Sequence, residues 1–173
     1  MSAFIGVDPS SKTGLVKVDM ASGEVITRKE LKGIGSVDPK RIVTLIDEII
    51  DHIRPGDIIG IEGYSYGSKG KGVSFQYELG GMLREWLYRL NLNYTTITPS
   101  QLKKFATGKG NTPKDAMAIP IFKRFGFEDK SNNITDAFIL AKIVQALSMT
   151  PFERVENLTG YQIDVLEAIE KVD

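Results

Sequence analysis

The sequence predicts an α/β protein with a mixed five-stranded sheet and helices on both of its faces. Three short β-rich segments open the chain, a pattern that is typical of an antiparallel meander. Two more β-rich segments then alternate with helical segments, which is typical of parallel strands joined by crossover helices. Because chains below roughly 200 residues usually build a single core, the 173 residues are expected to form one domain, 1–173, that ends in a helical tail at about 151–173.

The predicted meander occupies segments 3–8, 14–20 and 24–31. The first segment is apolar and ends in the carboxylate of Asp8, and residues 9–14 (PSSKTG) form a strong turn signal. The other two segments are β-rich and are separated by a serine–glycine pair. These three strands are therefore expected to run antiparallel in sequence order.

A helix and a buried strand follow the meander. Asp38 suits the N-cap of this helix and Pro39 its first position. Six aliphatic residues keep helical spacing over three turns: Ile42, Leu45, Ile46, Ile49, Ile50 and Ile53. The strand, 57–63, is apolar and ends near the carboxylate of Glu62.

A long helix is predicted from about 74 to 90. Its apolar face consists of Phe75, Leu79, Met82, Leu83, Trp86 and Leu90. The pair Gly80–Gly81 lowers helix stability by on the order of 1 kcal/mol per glycine relative to alanine, which is tolerable where another backbone packs closely. The remaining predicted elements are a strand at 94–98 and helices at 100–106, 112–125, 134–149 and 159–172.

The composition excludes several classes of protein. The chain has no cysteine and a single histidine, His52, which excludes disulfide scaffolds, thiolate zinc sites and cysteine catalysis and leaves little room for Ser-His-Asp chemistry. No apolar run reaches the ~20 residues that span a bilayer, and the first residues lack the pattern of a signal peptide. We therefore expect a cytoplasmic protein without a membrane partner.

Three carboxylates stand at apolar positions. Asp8 and Glu62 end buried strands, and Asp136 opens the most apolar helix. A carboxylate on an apolar surface is unfavourable unless a partner compensates its desolvation, and converging carboxylates raise one another's pKa values. A divalent cation resolves both problems, and oxygen ligands without histidine or cysteine favour Mg²⁺ or Mn²⁺. The combination predicts a metal–carboxylate nuclease centre.

Each acid also has a purely structural interpretation. Asp8 precedes Pro9 and suits a turn, and Glu62, before a glycine, can simply end a strand. Asn133 and Asp136 have the spacing of a capping box. These alternatives stay open for each residue taken singly.

Four segments resemble the signature regions of a known family. In this order, the chain carries segments similar to the four motifs of the RuvC Holliday-junction resolvases: IGVDPSSKTGL, IGIEGYSYG, TPSQLKKFATGKGNTPK and NITDAFILAKI. Within that family the chain is most similar to the divergent forms that bacteriophages of Gram-positive bacteria carry. The resemblance covers about residues 3–148.

This resemblance implies an RNase H-like fold, a homodimer and two-metal hydrolysis of phosphodiester bonds at four-way DNA junctions. It implies two Mg²⁺ ions per active site, with Mn²⁺ as a substitute, and action in the host cytoplasm if the protein is phage-encoded. Asp8 would bridge both ions, while Glu62 and Asp136 would each bind one. The family has a fourth carboxylate where this chain has Asn133, whose amide contributes no charge and would weaken one metal site. Either the protein tolerates asparagine there, or the chain is an Asp-to-Asn variant made to trap an inactive enzyme. Trp86 lies where the family dimerises, and it fits the core equally well.

The charges are unevenly distributed, although the net charge is zero. Residues 64–114 contain eight basic and two acidic side chains, which leaves fourteen basic and twenty acidic side chains elsewhere. A basic region beside an acidic centre suits an enzyme that holds DNA phosphates. The candidate DNA-binding residues are Tyr64, Tyr66, Lys69, Lys71, Lys103, Lys104, Lys109 and Lys114.

Tyrosines and lysines contribute differently to this prediction. Tyr64 and Tyr66 can stack on unpaired bases at a crossover, which is worth ~1–3 kcal/mol per base, although the position of the family's aromatic wedge is Ser65. Three lysines match the family's phosphate-binding lysines in spacing: Lys103, Lys104 and Lys114. The alternatives are a solvated basic helix face and a loop whose tyrosines pack on the domain.

Three other functions compete with that of a four-way junction nuclease. A nuclease of the same fold can cleave flaps, forks or RNA–DNA hybrids, and the residue at the wedge position leaves room for such relaxed selectivity. A junction-binding protein with a weakened catalytic centre would explain the asparagine among the acids. An ATPase of the sugar-kinase or actin type needs two domains, and 173 residues are too few for them.

Overall fold

A computed structural model describes residues 2–64, 70 and 72–172. The strands are β1 (Ala3–Asp8), β2 (Thr13–Asp19), β3 (Val25–Leu31), β4 (Ile58–Glu62) and β5 (Tyr94–Ile97). The helices are α1 (Lys40–Asp51), α2 (Val73–Arg89), α3 (Pro99–Thr107), α4 (Ala118–Phe125), α5 (Asn132–Leu147), α6 (Pro151–Asn157) and α7 (Gly160–Glu170). A 3₁₀ turn, Lys114–Ala116, precedes α4. No helix in this part of the chain is long and apolar enough to cross a membrane.

The five strands form one sheet in the order β3-β2-β1-β4-β5. β1 pairs antiparallel with β2, and β2 antiparallel with β3. β4 is parallel to both β1 and β5. The predicted mixed sheet, a meander followed by parallel strands, is therefore confirmed. Because β1 and β4 are parallel neighbours, their carboxyl ends lie at the same edge of the sheet.

The sheet has a hydrophobic core on each face. Side chains alternate along β1, so Ile5 and Val7 pack against α1 and α2 while Phe4 packs against α5. The core of the first face, here called the α1 face, is built from aliphatic side chains such as Ile46 and Leu83, which are almost completely buried. The core of the second face, the α5 face, joins α5 to α3, α4 and α7.

Three glycines in the strands let α5 lie directly on the sheet. A Cβ atom at Gly6 would stand 1.8 Å from the carbonyl oxygen of Ala137, and one at Gly14 would stand 2.0 Å from that of Asn133. Gly60 pairs with Gly6 in the β1–β4 register, and a Cβ there would stand 3.0 Å from a carbonyl oxygen of the same helix. A side chain at the first two positions would collide with helix backbone, so the glycines fix α5 above the three central strands.

The start of α1 differs from the prediction. Pro39 is the N-cap residue and the helix begins at Lys40, so Asp38 does not cap it. The predicted aliphatic stripe is confirmed, because the helix buries Ile42, Leu45, Ile46 and Ile49. Burial of this stripe, rather than a side-chain cap, therefore accounts for the position of the helix.

The buried face of α2 is rotated from the predicted one. The fully buried large side chains of this helix are Leu79, Leu83 and Leu87. Trp86 and Leu90, which were predicted to share the apolar face, are 40% and 44% exposed. The prediction of a core position for Trp86 is therefore wrong. Leu87 is buried in the core instead of Trp86.

The start of α5 also corrects the prediction. Ser131 is its N-cap residue, and the Ser131 hydroxyl accepts a hydrogen bond from the backbone N–H of Ile134 at 3.3 Å. The capping-box interpretation of Asn133 and Asp136 is therefore wrong. Both residues lie inside the helix, so their side chains are available for other contacts.

Two further helix boundaries differ. The predicted helix at 112–125 is a 3₁₀ turn followed by the shorter α4. Pro151–Asn157 forms α6, a helix that precedes the predicted helix at 159–172 within the helical tail. Thr150 and Glu153 form a capping box at its start, so the local signal for this helix was present in the sequence.

Candidate active site

Three acidic side chains meet at one edge of the sheet. Asp8 ends β1 and Glu62 ends β4, each two residues beyond a glycine that lies under α5, so both point to the α5 face. Asp136 lies in the second turn of α5, and the first turn rests on Gly14, which is the register partner of Asp8. The structure therefore brings together acids that are far apart in the sequence.

The two strand acids lie side by side, with their carboxyl groups in hydrogen-bonding contact. Burial raises the pKa of Asp8 well above its ordinary value, and the charges of Glu62 and Asp136 raise it further. Burial also raises the pKa of Glu62, although the hydrogen bond with Asp8 opposes the rise. Ionising both of two neighbouring carboxyl groups is unfavourable in free energy, so a cation that binds the pair is favoured.

Lys114 brings positive charge to these acids. Its Nζ lies 3.2 Å from Oδ2 of Asp136 in an ion pair. Burial raises the pKa of Asp136, which is 4% exposed, while the charges of Lys114 and Lys103 oppose the rise. Burial would lower the pKa of Lys114, but the nearby acids outweigh it and raise that pKa. Lys114 is therefore charged at neutral pH and offsets part of the negative charge.

The chemistry of the donor set fits a hard divalent cation such as Mg²⁺ or Mn²⁺. Asp8, Glu62 and Asp136 offer carboxylate oxygens, the ligands that such ions prefer. Across residues 2–64, 70 and 72–172, no three acidic or histidine side chains stand close enough together to hold an ion in their present positions. Asp136 is engaged by Lys114 instead, so the lysine now carries the positive charge that faces the acids.

A cleft of about 270 Å³ opens over Glu62 and Asp136. Its walls come from the end of β4, α2, α3 and the 3₁₀ turn. The cleft-lining side chains that matter most for chemistry are Glu62, Tyr64, Tyr77, Lys103, Lys114 and Asp136. This mixture of carboxylates, lysines and aromatic rings suits a strand of nucleic acid, which has both phosphates and bases.

Tyr64 is fixed in the wall of this cleft. Its ring packs edge-on against Tyr77 with centroids 4.7 Å apart, and its hydroxyl donates to the Tyr77 carbonyl at 3.1 Å. The guanidinium of Arg84 lies 4.3 Å from the Tyr64 ring centre and donates to its hydroxyl. Gly80 and Gly81 face this ring, with a Cβ at Gly80 3.2 Å from a ring carbon. Within the described residues, the group that lies close to this glycine pair is therefore an aromatic ring and not another backbone.

The predicted DNA-binding lysines occupy different positions. Lys103 lines the cleft, whereas Lys104 forms an ion pair with Asp164 of α7 at 3.3 Å. Lys109 is exposed on the turn after α3. Three predicted DNA-binding residues lie outside the described part of the chain: Tyr66, Lys69 and Lys71.

Asn133, the residue at the fourth predicted catalytic position, contacts a turn. Its Nδ2 donates a hydrogen bond to the backbone carbonyl of Lys12 at 2.7 Å. Lys12 lies between β1 and β2, in the turn that follows Asp8. The amide therefore joins the turn after one acid to the helix that carries another.

Sequence reasoning missed the residues that position the site. Gly6, Gly14 and Gly60 hold α5 at backbone distance, and a glycine inside a strand pattern is a recognised signal of close backbone approach. Arg84 was counted only as part of the basic region, although it fixes Tyr64. No sequence signal indicated that contact, because the two residues are twenty positions apart on different elements.

Known proteins resemble this chain in sequence and in fold. The chain is 24% identical over 149 residues to the crossover junction endodeoxyribonuclease RuvC of a Nitratiruptor species, covering 80% of this chain and 92% of the relative. It superposes on a structure of Thermus thermophilus RuvC with a TM-score of 0.64 and 13% identity, covering 88% of this chain and 96% of that one. No family model matches the chain.

A second solved structure, of T. thermophilus RuvC in complex with its Holliday junction substrate, gives a TM-score of 0.60 at 14% identity. It covers 82% of this chain and 90% of that chain. These likenesses show that the protein has the RNase H-like fold of RuvC, as the resemblance of its motifs implied.

Proposed function

We propose that the protein is a metal-dependent, structure-selective endonuclease that hydrolyses phosphodiester bonds at four-way DNA junctions. The observation that carries the proposal is the meeting of Asp8, Glu62 and Asp136 beside a cleft that also contains Lys103 and Lys114. The names of the curated relative and of the junction-bound RuvC structure support it. The motif resemblance supports the further proposal of a divergent, phage-type form in the cytoplasm, which would be the host cytoplasm if the protein is phage-encoded.

Three acids would hold the metal. Asp8, Glu62 and Asp136 are the ligands proposed for Mg²⁺, with Mn²⁺ as a substitute, at two ions per active site. Such ions activate water and stabilise charge on the attacking and leaving oxygens. Because the pKa values of Asp8 and Glu62 are raised, metal ions are expected to compete with protons for these carboxylates. Metal affinity is therefore expected to rise with pH.

The lysines of the cleft would hold the DNA backbone. Lys103 and Lys114 stand beside the acids, where a phosphate would otherwise be repelled. Without DNA, Lys114 pairs with Asp136, and an arriving phosphate offers the lysine a second anionic partner. We expect substrate to draw Lys114 from Asp136 and so release that carboxylate as a ligand.

The aromatic wall of the cleft would select unpaired bases. A continuous duplex keeps its base faces stacked, whereas a crossover exposes some of them. Tyr64, held by Arg84 and Tyr77, is a rigid surface beside the acids. Tyr66, Lys69 and Lys71 are proposed to contact the same DNA.

A homodimer fits this activity. Cutting both strands of a junction needs two active sites, and one chain supplies one. Near the end of α2, Trp86 and Leu90 lie four residues apart on one side of the helix and are 40% and 44% exposed. Exposed apolar surface of this kind is typical of protein contacts. We propose that α2 pairs with its counterpart in a second copy.

The test is cleavage of a labelled four-way junction in Mg²⁺, with a linear duplex of the same sequence as the reference. We expect cleavage of the junction, and Asp8→Asn is expected to lower its rate by on the order of 10²–10³. Asp47→Asn is a matched control, because Asp47 is an exposed acid on α1. Equal cleavage by wild type and Asp8→Asn would contradict the proposed centre.

Two alternative functions have specific support and appear as outcomes of the same assay. Tyr64 is anchored rather than projecting, which favours relaxed selectivity, and equal cleavage of flaps and forks would establish it. Asn133 is engaged with Lys12, which favours a centre with one ligand fewer. Tight junction binding without cleavage would identify a junction-binding protein.

A further inference from the structure

The contact of Asn133 gives this residue a role other than metal binding, and this inference rests on the proposed function. We propose that Asn133 is a positioning residue. Its side-chain amide ties the β1–β2 turn to the first turn of α5, and the tie sets where Asp136 stands relative to Asp8.

The turn that Asn133 contacts is an ordered structure. The hydroxyl of Thr13 donates to the carbonyl of Ser10 at 2.7 Å, and the N–H of Lys12 donates to the Ser10 hydroxyl at 3.3 Å. Nδ2 of Asn133 donates to the Lys12 carbonyl of this turn at 2.7 Å. The contact therefore joins α5 to a turn that already has a fixed shape.

A second contact acts in the same place. The backbone of Asn133 rests on Gly14, where a Cβ would come within 2.0 Å of its carbonyl oxygen. Gly14 is the register partner of Asp8 in the β1–β2 pair. One backbone contact and one side-chain hydrogen bond thus hold the first turn of α5 next to the strand that ends in Asp8. Asp136 follows one turn later on the same helix.

A carboxylate cannot replace this amide. An ionised aspartate at position 133 has no hydrogen to donate, and its oxygens would face the oxygen of the Lys12 carbonyl. The tie and a fourth acidic ligand therefore exclude each other at this position. Asn133 lacks the charge of a carboxylate ligand, but its amide is the donor that the hydrogen bond to Lys12 requires.

The experiment compares substitutions at two neighbouring positions of the full-length protein. Asn133→Asp and Asn133→Ala remove the donor, while Asn132→Asp and Asn132→Ala are matched controls at an exposed position of the same helical turn. The two aspartate variants add the same charge at the helix N-terminus, so their interactions with the helix dipole are similar. The readouts are the melting temperature without metal, hydrogen exchange of residues 10–14, and the affinity for Mn²⁺ alone.

We expect both Asn133 variants to melt about 2–4 °C below the matched Asn132 variants, because one hydrogen bond is lost. Hydrogen exchange in residues 10–14 is expected to accelerate in the Asn133 variants alone. Asn133→Ala is expected to bind Mn²⁺ about tenfold more weakly than Asn132→Ala, as with other residues that orient metal ligands.

Three results would overturn the inference. Tighter Mn²⁺ binding by Asn133→Asp than by Asn132→Asp, without a lower melting temperature, would make position 133 a ligand position. Equal Mn²⁺ affinities of the two alanine variants would leave only a structural role. Unchanged hydrogen exchange of residues 10–14 in the Asn133 variants would show that Asn133 does not hold the turn in place. If wild type bound no Mn²⁺ and cut no DNA, the proposed function would fail, while exchange and melting would still decide whether the tie exists.

Discussion

The two faces of the central sheet are held by different kinds of contact. On the α1 face, branched side chains of α1 and α2 fill the space between helix and sheet. On the α5 face, strand side chains such as Phe4 also pack against α5, but at Gly6 and Gly14 the helix backbone lies directly on the strands. Side chains can shift and repack, whereas backbone resting on backbone has almost no freedom. The rigid kind of contact therefore lies where three acids must be brought together.

The faces also differ in electrostatics. Asp8, Glu62 and Asp136 lie at the edge of the α5 face, and burial raises the pKa of each. Folding holds these acids together against desolvation and mutual repulsion, so packing elsewhere must supply the stability. The hydrophobic cores of both faces supply it. The acids lie at the edge of the α5 face, so that face combines a hydrophobic core with the chemistry.

Adding one carbon to the α5 face should have the largest effect. Gly6→Ala places a Cβ 1.8 Å from the Ala137 carbonyl oxygen, and we expect a loss of about 3 kcal/mol or more in the free energy of unfolding, measured in urea. Gly160→Ala is the matched control, since no atom lies within 4 Å of its Cβ, and should change stability by less than about 0.5 kcal/mol. A loss below about 1 kcal/mol at Gly6 would show that α5 can move, and the contrast between the faces would disappear.

Removing one carbon from the α1 face should matter less. Ile46→Val creates a small cavity beneath α1, and we expect a loss of about 0.5–1.5 kcal/mol in the same urea titration. Because the acids are held by the other face, junction cleavage by the folded protein should stay within about twofold of wild type. A large fall in cleavage with intact folding would mean that the α1 face also positions the site.

Asp8→Asn should stabilise the protein in the absence of metal. The pKa of Asp8 is raised in the folded state, so its contribution to stability is greatest below its unfolded pKa and is lost as pH rises through the folded pKa. Asparagine does not titrate, so the melting temperature of the variant should exceed that of wild type increasingly from about pH 4 upward. Thermal melts across this range in EDTA test the prediction. An identical pH dependence for both proteins would show that Asp8 carries no buried charge.

The smallest effect is expected for the two neighbouring lysines. Lys103 lines the cleft, whereas Lys104 is paired with Asp164. Lys103→Ala should lower junction affinity and reduce the dependence of log K on log salt by about one unit, while Lys104→Ala should change it less. Binding titrations over a range of salt concentrations measure both. Equal slopes for the two variants would show that DNA draws Lys104 away from its partner.

Much of the fold could be predicted because it depends on local patterns. The apolar run of β1 and the aliphatic stripe of α1 are properties of residues within one segment, so the sequence showed that β1 is buried and which face α1 buries. The same reasoning failed at Trp86, where i, i+3 and i, i+4 spacing allowed two neighbouring faces and packing against the sheet chose the one containing Leu87. It also failed at Asp38, because only the backbone conformation decides which residue begins a helix.

The sequence by itself determined the α/β order, the strand ends at Asp8 and Glu62, and the presence of a third acid on an apolar helix. Only the tertiary structure decided how these groups meet. It set the contact of the α5 backbone with the strand glycines, the ion pair of Lys114 with Asp136, and the hydrogen bond from Asn133 to Lys12. The physical reason is distance along the chain. Periodicity is fixed by neighbours in sequence, whereas the last bond spans 121 positions and depends on where two separately folded elements come to rest.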